Sequence, residues 1–220
     1  MKTAVILGAG GLGCPAALAL DELDVRLIIV DPDRVDRSNL PRQILFHDGD
    51  IGRPKAEAAA RRLRHAEPRV ERFETATAEA LLRGADILLD GTDDAATRFF
   101  ANDEAVRRRI PLVHGAVLGW SGQLLGVLPG RTACLRCLFE APPSDGPTCA
   151  QAGVLAPLCG LVGAAMAGLA EDLLGLREKK IIFFSPQAGT LYRWDARTGA
   201  ERPLTLKRDP SCAACRTAAS

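Results

Sequence analysis

The stretch TAVILGAGGLGCPAALALDEL, residues 3–23, decides the fold class. TAVIL is a continuous aliphatic run, which is typical of a strand buried on both faces of a sheet. PAALALDEL has the composition of a helix. Between them GAGGLG fits the pattern G-x-G-x-x-G, with Gly8, Gly10 and Gly13 at the marked positions and Gly11 in addition. A strand, a glycine loop and a helix in this order predict the first unit of a nucleotide-binding α/β sheet.

A glycine loop of this kind lets the backbone approach a phosphate or ribose where a side chain would collide, and the following helix points its N–H groups at the anion. Asp31, at the end of a second aliphatic run (VRLIIV, residues 25–30), is placed to accept hydrogen bonds from ribose hydroxyls. The alternative is a glycine turn that only packs the helix against the strand. NAD and ATP sites look alike to this point, so the nucleotide stays open.

Aliphatic runs and amphipathic segments alternate through the first half of the chain. The predicted strands are residues 3–7, 25–30, 70–76, 85–91 and 111–117, and the predicted helices are residues 15–23, 55–67 and 94–109. Because the strands lack strict alternation and are separated by helices, they predict a Rossmann-like, mostly parallel sheet with helices on both faces. After Gly119 the pattern predicts an antiparallel strand at 122–130, a buried helix at 155–175 and a hairpin of 179–185 with 190–195.

The composition is that of an ordinary globular protein. Of the 220 residues, 47% are hydrophobic and 25% charged, and the net charge is +1, which favours neither nucleic acid nor an anionic membrane as a partner. No uninterrupted apolar run reaches the roughly 18 residues that a bilayer span needs. We therefore expect a single cytoplasmic domain over residues 1–220. In that compartment, seven cysteines point to metal or thiol chemistry before disulfides.

Four of the cysteines form two C-x-x-C pairs, namely Cys134 with Cys137 and Cys212 with Cys215. Four thiolates in this arrangement match a closed tetrahedral zinc site with a structural role. A thioredoxin-like redox site would need a helix directly after one pair, and neither pair is followed by a convincing one. We predict a zinc site that ties the end of the chain to its middle.

The other three cysteines have different surroundings in the sequence. Cys14 begins the first predicted helix and Cys159 lies inside the buried one, so both are predicted to be small core residues. Cys149 lies in the polar stretch APPSDGPTCAQ, residues 141–151, which predicts a mobile surface loop with an accessible thiol. An exposed thiol can be incidental, so the spacing alone leaves the role of Cys149 open.

Taken together, these motifs resemble the ThiF/MoeB/HesA family, the bacterial relatives of ubiquitin-activating enzymes. The matching segments occur in family order and read GAGGLG, DPDRVDRSNLPRQ, GRPK, LDGTDD, CLRC, TCAQAGVLAP and CAAC. The resemblance implies ATP-dependent adenylation of the C-terminal glycine of a ubiquitin-like sulfur-carrier protein ending in Gly-Gly. It also implies release of pyrophosphate, a homodimer, and a carrier-binding half (119–220) after a nucleotide-binding half (1–118). Because no rhodanese-like extension follows CAAC, we expect a separate sulfur donor.

The resemblance also implies roles for individual residues. By family motif, Asp31 holds the ribose, Asn39 lines the site, Arg42 and Lys55 bind phosphates, and Asp93 handles magnesium. Gln43 follows Arg42 in the same motif, and we assign it a supporting hydrogen bond. Family members carry a cysteine at the position of Cys149, in a loop that crosses the tail of the carrier, and in some of them it takes part in sulfur transfer.

The chemistry explains these residue types. A carboxylate that attacks the α-phosphate joins two anions, so cations must neutralise the approach and the departing pyrophosphate. Arg42 can grip phosphate oxygens in a fork, whereas Lys55 supplies a compact charge. Magnesium prefers carboxylate and phosphate oxygens, which Asp93 and ATP provide. No general base is needed, because the terminal carboxylate is already ionised.

Each site residue also has a simpler interpretation. Arg42 could pair with Asp33 or Asp36 on the surface, and Asp93 could cap the next helix. Lys55 at the start of a helix is electrostatically unfavourable, which favours an anion ligand.

The sequence departs from the family in two places. Thr-Asp-Asp stands where Thr-Asp-Asn is common, so Asp94 adds a charge near the phosphates. Met1 leads almost directly into the first strand, where family members have a helix whose arginine reaches the partner subunit.

Two other functions remain open. An NAD-dependent oxidoreductase would need an acid or base near the strand ends, and His114 is the one candidate. A non-catalytic module would hold nucleotide or carrier without turnover. Within the enzyme class, a peptide or another carboxylate could replace the carrier protein.

Overall fold

A computed structural model describes residues 1–142, 152–176 and 186–217. Within them, the strands are β1 Thr3–Leu7, β2 Arg26–Val30, β3 Ala66–Arg69, β4 Ile87–Asp90, β5 Leu112–Leu118, β6 Ser121–Val127, β7 Thr190–Asp195 and β8 Ala200–Thr205. The helices are α1 Gly13–Asp21, α2 Lys55–Ala60, α3 Ala78–Leu81, α4 Ala95–Arg108, α5 Leu135–Leu138, α6 Ala156–Leu174 and α7 Ala213–Thr217. Two short 3-10 helices, Arg37–Asn39 and Asp48–Asp50, lie between β2 and α2.

The strands form one sheet in the order β3-β2-β1-β4-β5-β6-β7-β8. The first five strands in this order pair in parallel. The last three are antiparallel to their neighbours. The predicted fold class is therefore confirmed. β1 lies between β2 and β4. The chain therefore adds β2 and β3 on one side of β1 and then crosses over to add β4 and β5 on the other side. This reversal opens a crevice at the carboxyl ends of the strands, the usual place for a ligand in such sheets.

Both faces of the central strands are buried, which explains why they read as continuous aliphatic runs. In β1, Ala4 and Ile6 join the core under α1 and α6, whereas Val5 and Leu7 join the core under α4. All four side chains are at most 1% exposed. Burial on both sides removes any pressure for polar alternation.

Helix α6 confirms the buried helix predicted at 155–175. Its 19 residues are long and apolar enough to cross a bilayer by length and composition, but 67% of the apolar window is buried inside the protein. The helix packs against α1, β5 and β6. This burial is typical of a core helix.

Two predictions beside β2 were wrong. The helix that begins at Lys55 ends at Ala60, not near residue 67. The backbone N–H of Arg64 donates to Asp21 Oδ1 at 2.8 Å and its Nε to Asp21 Oδ2 at 3.2 Å, so the end of α1 holds the chain outside the helix. The third strand is β3 at Ala66–Arg69, not 70–76, because its register is set by pairing with β2.

The C-terminal strands differ in part from the prediction. The strand predicted at 190–195 is β7, and it pairs with β6 and with β8. The sequence did not indicate β8, because its residues AERPLT are mostly exposed and carry little apolar signal. Pro203 is tolerated there, because β8 is the edge strand of the sheet. The strand predicted at 179–185 lies outside the described residues.

Candidate functional site

A cavity of about 510 Å³ opens at the carboxyl ends of β1, β2 and β4. Its lining includes ten of the residues predicted to contact a nucleotide, namely Gly8, Gly10, Gly11, Asp31, Asn39, Arg42, Gln43, Lys55, Asp93 and Asp94. The fold thus brings together side chains from the second-strand loop, the start of α2 and the loop before α4. Gly13 is the one predicted residue of this set that does not line the cavity.

The glycines of the loop have two roles, namely close packing of α1 against the loop and an open surface for a ligand. Gly8 has φ +87°, a conformation that favours glycine, and its N–H donates to Val30 O at 2.8 Å. A Cβ on Gly13 would lie 1.8 Å from Gly8 O, so Gly13 is required by the close approach of α1 to the loop. A Cβ on Gly10 would meet nothing within 4 Å. The packing interpretation therefore explains Gly13, whereas the surface at Gly10 is open to a ligand.

Asp31 ties the glycine loop to the second-strand loop. Its side chain is buried, with Oδ2 accepting the N–H of Ala9 at 2.7 Å and Oδ1 accepting the N–H of Asp33 at 2.8 Å. Burial raises the pKa of Asp31, an effect that Lys55 and these N–H groups oppose. Each carboxylate oxygen has two lone pairs, so both can still accept a ribose hydroxyl.

The lysine of the site is held in place. Lys55 is 7% exposed, and its Nζ lies 2.9 Å from Asp33 Oδ2. It begins α2, where the helix dipole disfavours a cation. A buried ammonium group with one exposed carboxylate partner can therefore serve as a fixed positive charge in the wall of the cavity.

Arg42 is held more loosely, because among the described residues its side chain bonds only to oxygens of its own loop. Its Nη1 donates to Ser38 O at 3.3 Å, and its Nη2 contacts Asn39 Oδ1. The simpler interpretation, in which Arg42 pairs with Asp33 or Asp36, was wrong. Asp33 pairs with Lys55, and Asp36 accepts from the backbone and hydroxyl of Ser38 at 2.8 and 2.6 Å.

Gln43 is a buried polar residue in the wall of the cavity. It is 3% exposed, and its Oε1 has no hydrogen-bond partner among the described residues. A buried acceptor without a partner costs about 1–3 kcal/mol. A donor from a bound ligand would remove this cost.

The two aspartates before α4 have different tasks. Asp94 is the N-cap, and its Oδ2 accepts from the N–H and the hydroxyl of Thr97, both at 2.7 Å. These bonds lower the pKa of Asp94. The interpretation of Asp93 as the cap was therefore wrong. Asp93 is exposed in the wall of the cavity, and its carboxylate is a hard oxygen donor of the type that magnesium prefers.

Six further polar residues line the cavity that the sequence did not single out, namely Glu71, Arg72, Glu74, Thr92, Thr97 and Arg98. Arg98 lies in the first turn of α4, where the helix dipole disfavours a cation. The same unfavourable position indicated an anion ligand for Lys55, so it could have indicated one for Arg98 as well. Arg72 was not recognised as a site residue, because it lies in residues 70–76, which were wrongly predicted to form a strand.

His114 does not belong to the wall of the cavity. It is 2% exposed, and its Nδ1 lies 2.8 Å from Asp90 Oδ2, which is itself fully buried. The candidate acid or base of an oxidoreductase is therefore enclosed between β4 and β5, away from a ligand in the cavity.

The four predicted zinc ligands meet at one point. The sulfur atoms of Cys134, Cys137, Cys212 and Cys215 all lie within 4.8 Å of one another. Cys134 Sγ is 3.9 Å from Cys137, 3.7 Å from Cys212 and 3.5 Å from Cys215, and Cys137 is 3.7 Å from Cys215. A tetrahedron with Zn–S bonds of about 2.3 Å has sulfur atoms about 3.8 Å apart. The cluster fits zinc and is too wide for disulfides, whose S–S bond is about 2.05 Å.

One thiol of the cluster accepts a hydrogen bond from the backbone, which favours its ionised form. The N–H of Asp209 donates to Cys137 Sγ at 3.4 Å. Burial would raise the pKa of Cys137, but this bond and the neighbouring thiols lower it overall. Burial raises the pKa of Cys134 well above its usual range. Binding of a metal ion would therefore displace a proton from Cys134.

The remaining cysteines follow the prediction as far as the structure describes them. Cys14 is fully buried, and this burial raises its pKa to about 12, as expected of an inert core thiol. Cys159 is also buried but lies in the wall of the cavity beside Gly11, a position that the sequence did not indicate. Cys149 and nearly all of the stretch predicted to be a mobile loop lie outside the described residues.

Known proteins resemble this chain in sequence along nearly its whole length. The model of the ThiF family matches residues 2–214. A sulfur carrier protein adenylyltransferase of Thermus thermophilus is 40% identical, over 96% of this chain and 81% of the relative. The sulfur carrier protein ThiS adenylyltransferase of Escherichia coli is 36% identical, over 96% of this chain and 84% of the relative.

A solved structure has the same fold. The crystal structure of E. coli MccB with ATP superimposes with a TM-score of 0.81, covering 98% of this chain and 67% of that chain. The two sequences are 19% identical, so the likeness concerns the fold alone.

Proposed function

Because the chain belongs to the ThiF family, we propose that it adenylates the C-terminal glycine of a ubiquitin-like sulfur-carrier protein with ATP. Membership of the family confirms the resemblance seen in the motifs. The names of the relatives support an adenylyltransferase and a sulfur carrier as its substrate. The observation that carries the proposal is the convergence of Asp31, Arg42, Lys55 and Asp93 on one cavity.

The reaction needs charge stabilisation more than acid–base chemistry. A carboxylate oxygen of the terminal glycine attacks the α-phosphorus of ATP, the bond from this phosphorus to the β-phosphate oxygen breaks, and pyrophosphate leaves with the bonding electrons. Negative charge grows on the departing oxygens. Arg42 and Lys55 neutralise it, Lys55 as a fixed charge and Arg42 after turning from its loop contacts to the phosphates.

The rest of the cavity binds and orients the nucleotide. Asp31 accepts the ribose hydroxyls, and the open backbone at Gly10 lies against the nucleotide, with Gly11 beside it in the wall of the cavity. Asn39 lines the phosphate side, and Gln43 supplies a supporting hydrogen bond through its Oε1. Positioning of this kind converts the joining of two bound substrates into a step of lower entropic cost.

Magnesium fits the donor set at Asp93. Its carboxylate would hold the ion, directly or through water, and the ion would neutralise phosphate charge. Asp94 is occupied by the N–H and hydroxyl of Thr97, so in our proposal it serves the helix rather than the ion.

Zinc fits the four-cysteine cluster as a structural ion. All four positions of a tetrahedral ion would be filled by sulfur, so none is open to a substrate. The cluster lies apart from the cavity, because none of its cysteines lines it. Zinc would therefore join residues 134–137 to residues 212–215 and take no part in adenylation.

The remaining expectations belong to the same proposal. The protein would work in the cytoplasm as a homodimer, with nucleotide-binding residues in 1–118 and carrier-binding residues in 119–220 of one domain. A separate protein would supply the sulfur. Cys149 would lie near the tail of the carrier, so adenylation should not require its thiol.

Exchange of labelled pyrophosphate into ATP tests the proposal. We expect exchange that depends on a carrier ending in Gly-Gly and that disappears when the two glycines are removed. ATP binding without exchange, with any such carrier, would instead indicate a non-catalytic module. Tight binding of NAD that ATP does not displace would contradict the proposal and favour an oxidoreductase. Exchange driven by a short peptide alone would change the substrate class.

A further inference from the structure

We propose that Asp90, His114 and Arg98 are positioning residues, which hold the loop 91–94 in the geometry that presents Asp93 to the metal–nucleotide complex. The inference rests on the proposed function for the role of Asp93, but its structural part concerns residues to which the family motifs gave no role. We call this arrangement the Thr92 clamp, because Asp90 and Arg98 both bond to Thr92 and His114 bonds to Asp90.

The Thr92 clamp engages every polar group of Thr92. Asp90 Oδ1 accepts from the backbone N–H of Thr92 at 3.1 Å and from its hydroxyl at 2.7 Å. Arg98 donates to the carbonyl oxygen of Thr92 through Nε at 2.9 Å and through Nη2 at 2.7 Å. The carbonyl of Thr92 and the N–H of Asp93 belong to one peptide unit. The bonds to Thr92 therefore fix the orientation of this peptide unit, and with it the direction in which the Asp93 side chain leaves the backbone.

His114 holds the second carboxylate oxygen of Asp90. Asp90 ends β4, His114 lies opposite it in β5, and Nδ1 of the imidazole donates to Asp90 Oδ2 at 2.8 Å. One carboxylate oxygen thus holds the loop while the other is held by the histidine. Asp90 is 0% exposed and His114 is 2% exposed, so no water competes for either bond.

Two elements contact Thr92 directly and a third holds Asp90 in place, which distinguishes the arrangement from ordinary loop packing. Asp90 comes from β4, His114 from β5 and Arg98 from the first turn of α4. A buried carboxylate is costly unless its hydrogen bonds are complete. Loss of the histidine would leave Asp90 Oδ2 without a partner and allow the carboxylate to turn away from Thr92.

A pair of substitutions at residue 114 tests the clamp. His114→Asn keeps an N–H group at the position of Nδ1, whereas His114→Leu removes the donor at similar size. We expect His114→Leu to raise the Mg²⁺ concentration for half-maximal pyrophosphate exchange by about tenfold, the usual effect of losing a residue that orients a metal ligand. His114→Asn should stay within about twofold of the wild type. ATP affinity measured without Mg²⁺ should change little in either variant.

A second pair covers the case in which His114→Leu does not fold. Thr92→Val removes only the hydroxyl bond to Asp90 with nearly unchanged shape, and Thr92→Ser keeps that bond. We expect Thr92→Val to show the same shift in Mg²⁺ dependence and Thr92→Ser to lack it. Wild-type Mg²⁺ dependence in Thr92→Val, or a His114→Asn protein impaired as strongly as His114→Leu, would overturn the inference.

Amide hydrogen exchange separates this inference from the proposed function. In the protein without nucleotide, the backbone amides of 91–94 should exchange faster in His114→Leu and Thr92→Val than in the wild type, His114→Asn and Thr92→Ser. This measurement needs no activity, so it decides the clamp even if pyrophosphate exchange is absent. Equal exchange in all five proteins would contradict the clamp, whereas the absence of pyrophosphate exchange in the wild type would contradict only the proposed function.

Discussion

At the scale of single residues, two of the cations that line the cavity, Lys55 and Arg42, differ in their freedom to move. The side chain of Lys55 is 9% exposed and is fixed by Asp33, whose own side chain is 61% exposed. Within the described part of the chain, Arg42 bonds only to oxygens of its own loop. A fixed ammonium and a guanidinium that can change partners suit a reaction in which charge moves from the bound phosphates to the departing pyrophosphate.

Arg42→Ala and Lys55→Ala should each reduce carrier-dependent pyrophosphate exchange by about a hundredfold or more, the usual effect of removing a group that stabilises charge in the transition state. Neither change should lower the melting temperature by much, because Arg42 makes only loop contacts and the partner of Lys55 is exposed. Arg37→Ala is the matched control, since Arg37 lies in the same loop but pairs with exposed Asp48 outside the cavity. Full activity of both site variants would contradict the phosphate assignment.

Asp94→Ala should destabilise the protein by about 1 kcal/mol, the usual cost of losing an N-cap, whereas Asp94→Asn should be close to the wild type. Because Thr97 lowers the pKa of Asp94, the cap contributes above the unfolded pKa of about 3.9 and is lost as the pH falls through the folded value. Thermal unfolding at pH 7 and pH 3 checks both statements. Equal melting temperatures of Asp94→Ala and Asp94→Asn at pH 7 would contradict the capping role.

At the scale of elements, helix α6 depends on glycine where it crosses α1. A Cβ on Gly163 would lie 2.4 Å from Pro15 Cγ and 2.5 Å from Leu12 O. Both atoms belong to the start of α1 or the residue before it, so neither can move without disturbing the glycine loop. Gly160, one turn earlier in α6, would carry a Cβ into open space.

Gly163→Ala should therefore lower the free energy of unfolding by about 1–3 kcal/mol through overpacking. Gly160→Ala in the same helix should raise it by about 0.5–1 kcal/mol, because alanine favours the helix where nothing clashes. Chemical denaturation of the two variants provides the comparison. A stabilising effect of Gly163→Ala would show that α6 and α1 do not approach as closely as described.

The predicted bounds of helices and strands were correct where the local sequence pattern and the tertiary contacts favour the same structure. The strand at 3–7 and the helix at 94–109 are nearly unchanged in the structure, because an aliphatic run and a capped amphipathic segment favour the same state as their surroundings. The helix from Lys55 ended early because Arg64 is bonded to Asp21, which lies 43 residues away in the sequence. No local pattern contains such a contact.

At the scale of the whole molecule, the cysteine cluster docks on the helix that also carries part of the cavity. Arg136, between Cys134 and Cys137, binds Asp103 of α4 through Nε at 2.7 Å and Nη2 at 2.8 Å. Asn102 of the same helix accepts the N–H of Leu135 at 2.9 Å. The cluster thus supports α4 from its middle, while the first turn of α4 faces the cavity.

The protein should contain about one zinc ion per chain, and Cys212→Ser should abolish it, since structural zinc needs all four ligands. Removal of zinc by a chelator should lower the free energy of unfolding by about 3 kcal/mol, the size expected for a cross-link that closes a long loop. Cys14→Ala is the control and should keep the metal. Metal analysis and thermal unfolding check this prediction, and a metal-free protein of unchanged stability would contradict it.

The sequence by itself determined the residue types of the site and the order of the elements. Glycines before α1, an acid after β2, and cysteines in pairs are signals of local spacing, and their physical reasons act over a few residues. The spacing also sufficed to predict that the two distant cysteine pairs meet at one point, as they do in the structure.

Only the tertiary structure decided which groups are free for a ligand. Which of Asp93 and Asp94 caps α4, and what Arg42 bonds to, depend on the exact backbone geometry of their loops. Whether His114 reaches the cavity depends on its contact with Asp90, which lies 24 residues away in the sequence. The same holds for Arg72, Arg98 and Cys159, whose place in the cavity wall follows from the sheet order β2-β1-β4. Hydrogen bonds and burial are set by three-dimensional neighbours, and a linear pattern does not contain them.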